Sequence, residues 1–206
     1  MSRVPFIPPE LPRLRASPPT GDSWLYELKF DGYRVQLHKD GLSSSIYGRN
    51  GGDFTRRFPA VAAAVLGLPT KSCIIDGELI AAGRRGQNDF LALLHGRHAP
   101  TCVYCFDLLQ LNGRDLREQP LVQRRARLEA LLKRTKCNVI RISETFPNAN
   151  DLLAECVRLD PEGIVCKRKD SLYRSGTRSG WLKIKTSEWR ASNQWRAKFF
   201  EKPARS

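Results

Sequence analysis

No segment of the sequence is a candidate membrane span, because no stretch approaches the roughly 18 uninterrupted apolar residues that a spanning helix needs. The N-terminal part is rich in proline and has no apolar core of the kind that a secretory signal contains. The six cysteines are spread along the chain and lack the spacing of a disulfide framework, which suits reduced thiols in a cytosol. We therefore expect a cytoplasmic protein without a membrane partner.

Acidic residues are few relative to basic ones. The chain has 21 Asp and Glu against 35 Lys and Arg, a formal net charge of +14 and a pI near 9.9. Such a surplus favours a polyanionic partner such as nucleic acid. With 206 residues, of which 41% are hydrophobic, the chain can bury a substantial core as one large domain or two small ones.

A zinc site is the first metal hypothesis to test, because four potential ligands lie close together in sequence: His95, His98, Cys102 and Cys105. However, Cys102–Leu109 is an apolar run typical of a buried strand, which would place its two cysteines at different points along the strand. Tetrahedral zinc needs four convergent side chains, so we favour a structural strand here.

The sequence divides into three parts. Residues 1–23 contain six prolines and are predicted to be an extended lead-in, because proline excludes regular helix and central strand. Residues 24–186 alternate predicted strands and helices, including a hairpin at Asp40-Gly41 and a helix over Pro120–Lys133 whose basic face we expect in solvent: Arg124, Arg125, Arg127 and Lys133. Residues 187–206 form a basic, aromatic tail with helix-like character.

The stretch from Trp24 to Asp31 alternates strictly and predicts a strand with one apolar and one charged face. The charged face carries Glu27, Lys29 and Asp31 and is expected to look into water. Alternation alone is equally typical of an ordinary half-buried strand with solvated charges.

Two acids, Asp76 and Glu78, interrupt the otherwise apolar strand Cys73–Ala81 and share one face. Buried carboxylates are costly unless they are paired or bind a cation, so this pair requires a partner. Near the C-terminal end, the predicted strand Trp181–Lys185 directs Lys183 and Lys185 to one face.

Taken in order, these motifs resemble the adenylation domain of ATP-dependent DNA ligases, with the ligase module of bacterial ligase D as the most similar type. The resemblance covers roughly residues 5–185 and is carried by Lys29-x-Asp31-Gly32-x-Arg34, the Arg49 loop, Asp76-Gly77-Glu78, Phe106-Asp107-Leu108-Leu109, Glu162-Gly163-Ile-Val-x-Lys167 and Trp181-Leu-Lys183-Ile-Lys185. It implies an α+β fold: two mainly antiparallel β-sheets with flanking helices around a nucleotide cleft, similar to the ATP-grasp architecture.

The resemblance also implies a chemistry and a set of roles. A lysine takes AMP from ATP, passes it to a DNA 5′-phosphate, and AMP leaves when a 3′-hydroxyl attacks; Lys29 matches that lysine. Around the base, the resemblance implies Glu27 at the adenine edge, Phe106 stacked on adenine and Lys167 beside the nucleotide. Around the sugar and phosphates, it implies Arg34 and Arg49 at ribose or phosphate and Lys183 and Lys185 at the α-phosphate. Glu78 and Glu162 are implied at ribose or at Mg²⁺ (or Mn²⁺), and Asp31, Gly32 and Asp76 are supporting positions. For Phe106, core packing is an open alternative.

A lysine nucleophile needs help to lose its proton. In water its pKa of about 10.4 is roughly 3 units too high for neutral pH, which costs about 4 kcal/mol. We expect the neutral amine of Lys29 to be favoured by nearby cations: Arg34, Lys183, Lys185 and bound magnesium.

Two features of this motif set are not explained by the sequence pattern. Glu162 and Lys167 are five residues apart and would face opposite ways on an ideal strand, unless Gly163 bends the chain. In addition, only 21 residues follow Lys185, too few for the five-stranded OB-type domain that ligases of this family carry next. The expectation is an adenylation domain with no OB domain, and three modes of action stay open: it forms the lysyl-AMP adduct weakly, it works with an OB domain or an end-joining protein in trans, or it acts only on pre-adenylated DNA.

The expected partner is DNA with nicked or broken ends. Two other functions remain open at this point. One is an RNA ligase or mRNA-capping nucleotidyltransferase, which shares the lysine motif. The other is a catalytically weak scaffold that binds DNA ends through its net charge of +14.

Overall fold

The structure is a computed structural model that describes residues 5–81, 92–93, 100–135, 137–159 and 162–192. Within these ranges the chain forms ten strands and four helices. In chain order they are β1 (Arg13–Leu14), β2 (Trp24–Lys29), β3 (Tyr33–Asp40), β4 (Ser43–Gly48), α1 (Pro59–Leu66), β5 (Ser72–Ala81), β6 (Thr101–Leu111), β7 (Arg114–Asp115), α2 (Leu121–Lys133), β8 (Ile140–Ile142), α3 (Ala149–Leu159), β9 (Gly163–Arg168), β10 (Trp181–Lys185) and α4 (Ser187–Ser192). No helix among the described residues is long and apolar enough to cross a membrane.

The strands form two sheets. The four-stranded sheet has the order β1-β10-β9-β2, in which only β1 and β10 run parallel. The six-stranded sheet has the antiparallel order β4-β3-β5-β6-β7, with β8 added parallel to β6. The predicted α+β fold with two mainly antiparallel sheets is therefore confirmed, as is the hairpin of β3 and β4, in which Asp40 pairs with Ser43.

Each sheet has its own hydrophobic core, and a third cluster joins them. The six-stranded sheet packs against α1 and α2, and the four-stranded sheet packs against α3. The third cluster combines residues of both sheets with one residue that precedes β1 and one that lies between β9 and β10: Ile7, Ile74, Phe106, Leu109, Tyr173 and Trp181. This shared cluster fixes the two sheets relative to each other and so sets the width of the space between them.

The proline-rich segment before β2 is extended, as its prolines predict, but it is more than a lead-in. Glu10 is fully buried and its carboxylate accepts hydrogen bonds from Ser179 Oγ at 2.7 Å, Arg174 N at 3.0 Å and Gly180 N at 3.1 Å. Burial raises the pKa of Glu10 above its ordinary value despite these donors. Proline excludes regular hydrogen-bonded structure but does not exclude burial, so the segment contributes to the folded core.

The prediction that the basic face of helix α2 lies in solvent is wrong for two of its arginines. Its leucines are buried as expected, but Arg124 and Arg125 are also buried, with 0% and 3% of their surfaces exposed. Arg124 donates two hydrogen bonds of 2.8 Å to the carboxylate of Asp107 on β6. A helical pattern shows which face is inward, but it does not show whether the opposing sheet supplies an acid that pairs a buried arginine.

Strand β2 also departs from its prediction. It ends at Lys29, and the next residue, Phe30, stacks on the ring of Tyr104 with centroids 4.1 Å apart. Tyr26 and Leu28 pack on the apolar side as expected. Glu27, however, is only 2% exposed, so the expectation that the whole charged face meets water is wrong for this residue.

The remaining sequence predictions are partly covered by the described residues. Cys105 is buried in the core of the six-stranded sheet, in keeping with a structural strand, whereas His95 and His98 lie outside the described residues. The predicted helical tail is seen as the short helix α4, and residues 193–206 lie outside the described part of the chain.

Candidate functional site

A continuous cleft runs between the two sheets, and most of the predicted site residues line it. Its wider part is lined on both sides by charged side chains: Lys29, Asp31, Arg34, Arg49, Glu78, Glu162 and Lys183, together with Gly32. Its narrower part is lined by a mixture of aromatic and charged side chains: Glu27, Lys29, Arg34, Glu78, Phe106, Lys167 and Trp181. Because Lys29, Arg34 and Glu78 line both parts, the two cavities form one site.

Lys29 lies at the end of β2 and binds Glu162, the residue that immediately precedes β9. The Lys29 ammonium donates a hydrogen bond to Glu162 Oε2, and Lys185 Nζ lies 2.7 Å from Glu162 Oε1. The carboxylate therefore bridges two lysines. Lys185 itself does not line the cleft but reaches it through this bridge, and its ammonium also lies 4.1 Å from the ring centroid of Trp189. Lys29 is engaged here as a cation, so it must lose this carboxylate and a proton before it can act as a nucleophile.

The third lysine of this group faces the same wide cavity. Burial lowers the pKa of Lys183, and the positive charges of Lys29 and Lys185 lower it further. Such a concentration of cations around one cavity is suited to an anion with several charged oxygens.

Arg34 is the cationic partner of the buried carboxylate of Asp76. Its Nε and one terminal nitrogen each donate a hydrogen bond of 2.6 Å to the carboxylate of Asp76, which is 1% exposed. Tyr173 Oη donates a third hydrogen bond of 2.6 Å to the same carboxylate. Asp76 thus lies behind the cleft and fixes Arg34 as part of the cleft wall. The Arg34 guanidinium carbon in turn lies 4.6 Å from the ring centroid of Phe106.

Glu27 is the centre of a buried charged group at the narrow end. Its Oε1 accepts a hydrogen bond of 2.9 Å from Arg125 and lies 2.9 Å from Lys167 Nζ, while its Oε2 accepts one of 2.8 Å from Ser143 Oγ. Burial lowers the pKa of Lys167, and Glu27 opposes this shift. Lys167 also lies over the rings of Phe106 and Trp181, at 4.2 and 4.4 Å from their centroids.

Phe106 packs in the core and also lines the cleft, so its position is compatible with both roles that the sequence leaves open. It is 7% exposed and packs edge-on against Trp181 with centroids 5.9 Å apart, so it belongs to the cluster that joins the sheets. It also lines the narrow cavity. An aromatic side chain in this position can support the core and still offer part of its surface to a ring inside the cleft.

Gly163 brings Glu162 and Lys167 into one cleft. Its φ is +144°, and a Cβ built on it would lie 2.0 Å from the carbonyl oxygen of Ile184. Only glycine can occupy this position without displacing β10. The bend places Glu162 in the wide cavity and Lys167 in the narrow one, as the spacing of the two residues required.

Glu78 faces Glu162 across the cleft and is the second carboxylate near Lys29. Its Oε1 accepts a hydrogen bond of 3.2 Å from the backbone N–H of Gly32. Burial raises the pKa of Glu78 from its usual value near 4.5 to about 7, against the lowering effects of Lys29 and Arg34. The described residues contain no group of three or more His, Cys, Asp or Glu that could hold a metal. Two carboxylates nevertheless suit Mg²⁺, which commonly takes its other ligands from phosphate and water.

Replacing Glu78 by glutamine should stabilise the fold at pH 8. The raised pKa means that the folded protein binds this proton more tightly than the unfolded chain. The associated stability is fully present below about pH 4.5 and is lost as the pH rises through about 7. Glutamine keeps the acceptor for Gly32 and has no charge, so E78Q should be more stable than the wild type at pH 8 by on the order of 2 kcal/mol.

Thermal unfolding at several pH values tests this prediction. The stability difference between E78Q and the wild type should shrink toward zero as the pH falls to about 5, because the wild-type carboxyl is then protonated. A difference that stays constant with pH would show that Glu78 is not the titrating group.

Sequence reasoning assigned no role in the site to several residues that shape it: Glu10, Arg125, Ser143, Tyr173 and Trp181. For Arg125 a signal was present, since it lies four residues after Leu121 and three before Leu128 and therefore shares the buried face of α2. Glu10, Ser143 and Tyr173 lie in irregular segments and have no periodic pattern that could have indicated burial.

Comparison with known proteins gives a consistent result. Residues 16–185 match the family model described as ATP dependent DNA ligase domain. The multifunctional non-homologous end joining protein LigD of Pseudomonas aeruginosa is 40% identical over 185 residues, which cover 87% of this chain and 22% of that protein. A probable DNA ligase of Streptomyces coelicolor is 36% identical over 176 residues, which cover 77% of this chain and 34% of that protein.

Solved structures show the same relationship. A mycobacterial DNA ligase D complexed with ATP and MES matches with a TM-score of 0.69 and 28% identity, covering 85% of this chain and 60% of that one. The ligase domain from M. tuberculosis LigD matches with a TM-score of 0.70 at the same identity and coverage. The chain spans about a fifth to a third of the length of the curated relatives, 22% and 34% in these two cases.

Proposed function

Because the chain belongs to the ATP-dependent DNA ligase family, we propose that it acts as the adenylation domain of such a ligase and that Lys29 accepts AMP from ATP. The observation that carries this proposal is the position of Lys29 in the cleft. Its amine lies beside two further lysines and two carboxylates, Glu78 and Glu162. This arrangement provides a nucleophile, cations for phosphate oxygens and ligands for a metal ion.

The proposed first step is an in-line displacement at the α-phosphorus of ATP. The Lys29 amine, having lost one proton, forms a bond from Nζ to the phosphorus, and the bond between the α-phosphorus and the bridging oxygen to the β-phosphate breaks. Pyrophosphate leaves with that electron pair, and the second proton on nitrogen passes to solvent. Charge develops on the phosphate oxygens during this step, and fixed cations stabilise it without reorganisation.

Each predicted side chain has a proposed role consistent with its place in the cleft. At the narrow end, Glu27 lies at the adenine edge, Phe106 stacks on the base and Lys167 lies beside the nucleotide. In the wide part, Arg34 and Arg49 contact ribose or phosphate and Lys183 contacts the α-phosphate, with Asp31 and Gly32 in support. Lys185, which reaches the cleft through Glu162, contacts the α-phosphate as well, and Asp76 supports Arg34 from behind the cleft. Glu78 and Glu162 would hold Mg²⁺ or Mn²⁺, which supplies charge neutralisation at the phosphates.

Glu162 is placed to serve two purposes. In the structure it binds both Lys29 and Lys185. With Glu78 it would hold Mg²⁺, and a carboxylate engaged in that way would no longer be available to bind the Lys29 ammonium. Lys185 would then be available to contact phosphate.

The proposed later steps transfer AMP to a DNA 5′-phosphate and join the strand as a 3′-hydroxyl displaces AMP, in DNA repair. The proposed partners are DNA with nicked or broken ends and a lid-forming domain or end-joining protein, in cis or in trans. The basic surplus of the chain supports a DNA substrate. The printed name of the P. aeruginosa relative, a non-homologous end joining protein, supports the setting.

Labelling with radioactive nucleotides tests the proposal. The protein with Mg²⁺ should take up label from α-labelled ATP, none from γ-labelled ATP, and far less from α-labelled GTP. The bond should be acid-labile, as a phosphorus–nitrogen bond is, and mass spectrometry should place AMP on the peptide that contains Lys29.

Three outcomes would contradict it. Label from GTP alone would indicate capping chemistry, and label from γ-labelled ATP would indicate a kinase. No label from either nucleotide, together with no sealing of a pre-adenylated nick, would indicate a DNA-binding scaffold.

A further inference from the structure

Arg125 makes the contacts that place Glu27. It lies on α2, is 3% exposed and does not itself line the cleft. Its guanidinium donates to Glu27 Oε1 at 2.9 Å, to the Ser143 carbonyl at 2.7 Å and to the Phe106 carbonyl at 3.4 Å. One planar group thus ties together β2 of the four-stranded sheet, β6 of the six-stranded sheet and the segment after β8. Glu129 on the next turn of α2 is more distant, at 3.8 Å.

These contacts fix both the position and the charge of the Glu27 carboxylate. Oε1 is shared by two cations, Arg125 and Lys167, and Oε2 accepts from Ser143 Oγ. Lys167 is a point charge on a flexible stem, whereas arginine has a rigid fork of donors that also binds two backbone carbonyls here. Arg125 is therefore the member of this group that can define the direction in which Glu27 faces the narrow cavity.

We propose that Arg125 is a positioning residue that sets the selectivity of the cleft for adenine over guanine, acting through Glu27. This inference rests on the proposed function. A fixed carboxylate at the base edge accepts a hydrogen bond from the exocyclic amine of adenine. Guanine has a carbonyl oxygen at the equivalent ring position, which would face the carboxylate without a proton between them. A buried polar group held in one orientation rejects such a mismatch strongly, while one that can turn away rejects it weakly.

The neighbouring residue provides a matched control. Arg124 lies on the same helix, is 0% exposed and also binds a buried carboxylate, that of Asp107. It also donates hydrogen bonds to the carbonyls of Gln119 and Ser171, and its guanidinium carbon lies 5.9 Å from the ring centroid of Tyr173; none of these residues lines the cleft. Loss of Arg124 removes a buried arginine from the same helix without touching Glu27.

The test compares R125Q, R125K and R124Q in the full chain. For each variant, the rate of label uptake is measured against the concentration of α-labelled ATP and of α-labelled GTP. We expect R125Q to raise the KM for ATP by about 10-fold or more, to change the rate at saturation by less than about 3-fold, and to reduce the preference for ATP over GTP by at least about 10-fold. R125K keeps the charge without the fork and should fall between R125Q and the wild type. R124Q should lower the unfolding temperature and leave the ATP-to-GTP preference unchanged.

Thermal shift by unlabelled ATP and GTP gives a second readout that does not depend on catalysis. The wild type should be stabilised more by ATP than by GTP, and R125K, the milder variant, should show a smaller difference even if R125Q does not fold. An ATP-to-GTP preference in R125K and R125Q equal to that of R124Q overturns this inference while the proposed function stands. A wild type that takes no label from ATP and is not stabilised by it overturns both.

Discussion

Lys29→Ala should lose the label from α-labelled ATP completely, by at least about 10³-fold, because the alanine variant has no amine at the position where the adduct forms. Two other lysines line the cleft, but Lys167 is 2% exposed and lies against Glu27, and Lys183 is placed for phosphate contact. Label uptake in the presence of Mg²⁺ and α-labelled ATP measures this loss. Lys71, an exposed lysine that immediately precedes β5, serves as the control, and Lys71→Ala should label like the wild type.

A second substitution separates nucleophilic from electrostatic roles. Lys29→Arg keeps a positive charge that can still bind Glu162, but a guanidinium is not deprotonated in proteins. It should therefore be as inactive as the alanine variant. Sealing of a pre-adenylated nick needs no free amine at this position, so retained sealing by Lys29→Ala would show that the cleft is intact. Substantial label on either variant would assign the adduct to another lysine.

Gly163→Ala should be the most destabilising of the single substitutions discussed here, at more than about 3 kcal/mol. The alanine Cβ would meet the Ile184 carbonyl oxygen at 2.0 Å and Lys185 Cα at 2.9 Å, and the φ of +144° is strained for any side chain. Either β10 moves away from β9 or the bend is lost. Both changes displace Glu162 from Lys29, so label uptake should fall together with the unfolding temperature, which we expect to drop by about 10 °C.

Gly52→Ala is the matched control for this prediction. A Cβ at Gly52 meets nothing within 4 Å, and its φ is not in the left-handed region. Its effect on stability should stay within about 0.5 kcal/mol. Thermal unfolding and label uptake of the two variants side by side make the comparison. A Gly163→Ala protein as stable as Gly52→Ala would mean that the bend before Lys167 does not exist.

Much of the fold could be predicted from local sequence patterns. The alternation in β2, the turn at Asp40-Gly41 and the acids within β5 each follow from a period of two or from a turn signal, and the structure has all three. Gly163 was recognised as the point where the chain must bend for Glu162 and Lys167 to share a cleft. These features depend on residues that are near neighbours in sequence.

The errors concern charges and their partners. The sequence pattern predicts that Glu27 and Arg125 face solvent, yet they are buried together although 98 residues separate them. Asp76 was expected to need a cation, but nothing local identified Arg34 and Tyr173, which are 42 and 97 residues away. A sequence pattern cannot distinguish a buried, paired charge from a solvated one until the partner residue is known.

The sequence by itself determined the order of the motifs, most of the strands and helices that carry them, and the choice of Lys29 as the proposed reactive side chain. The tertiary structure alone decided which charges meet. Glu162, which is 133 residues from Lys29, binds it because β2 and β9 pair in a register that sets Lys29 opposite Gly163. Strand register and sheet packing arise from the sum of many weak contacts along the whole chain, whereas a short sequence pattern reports only on its immediate neighbours.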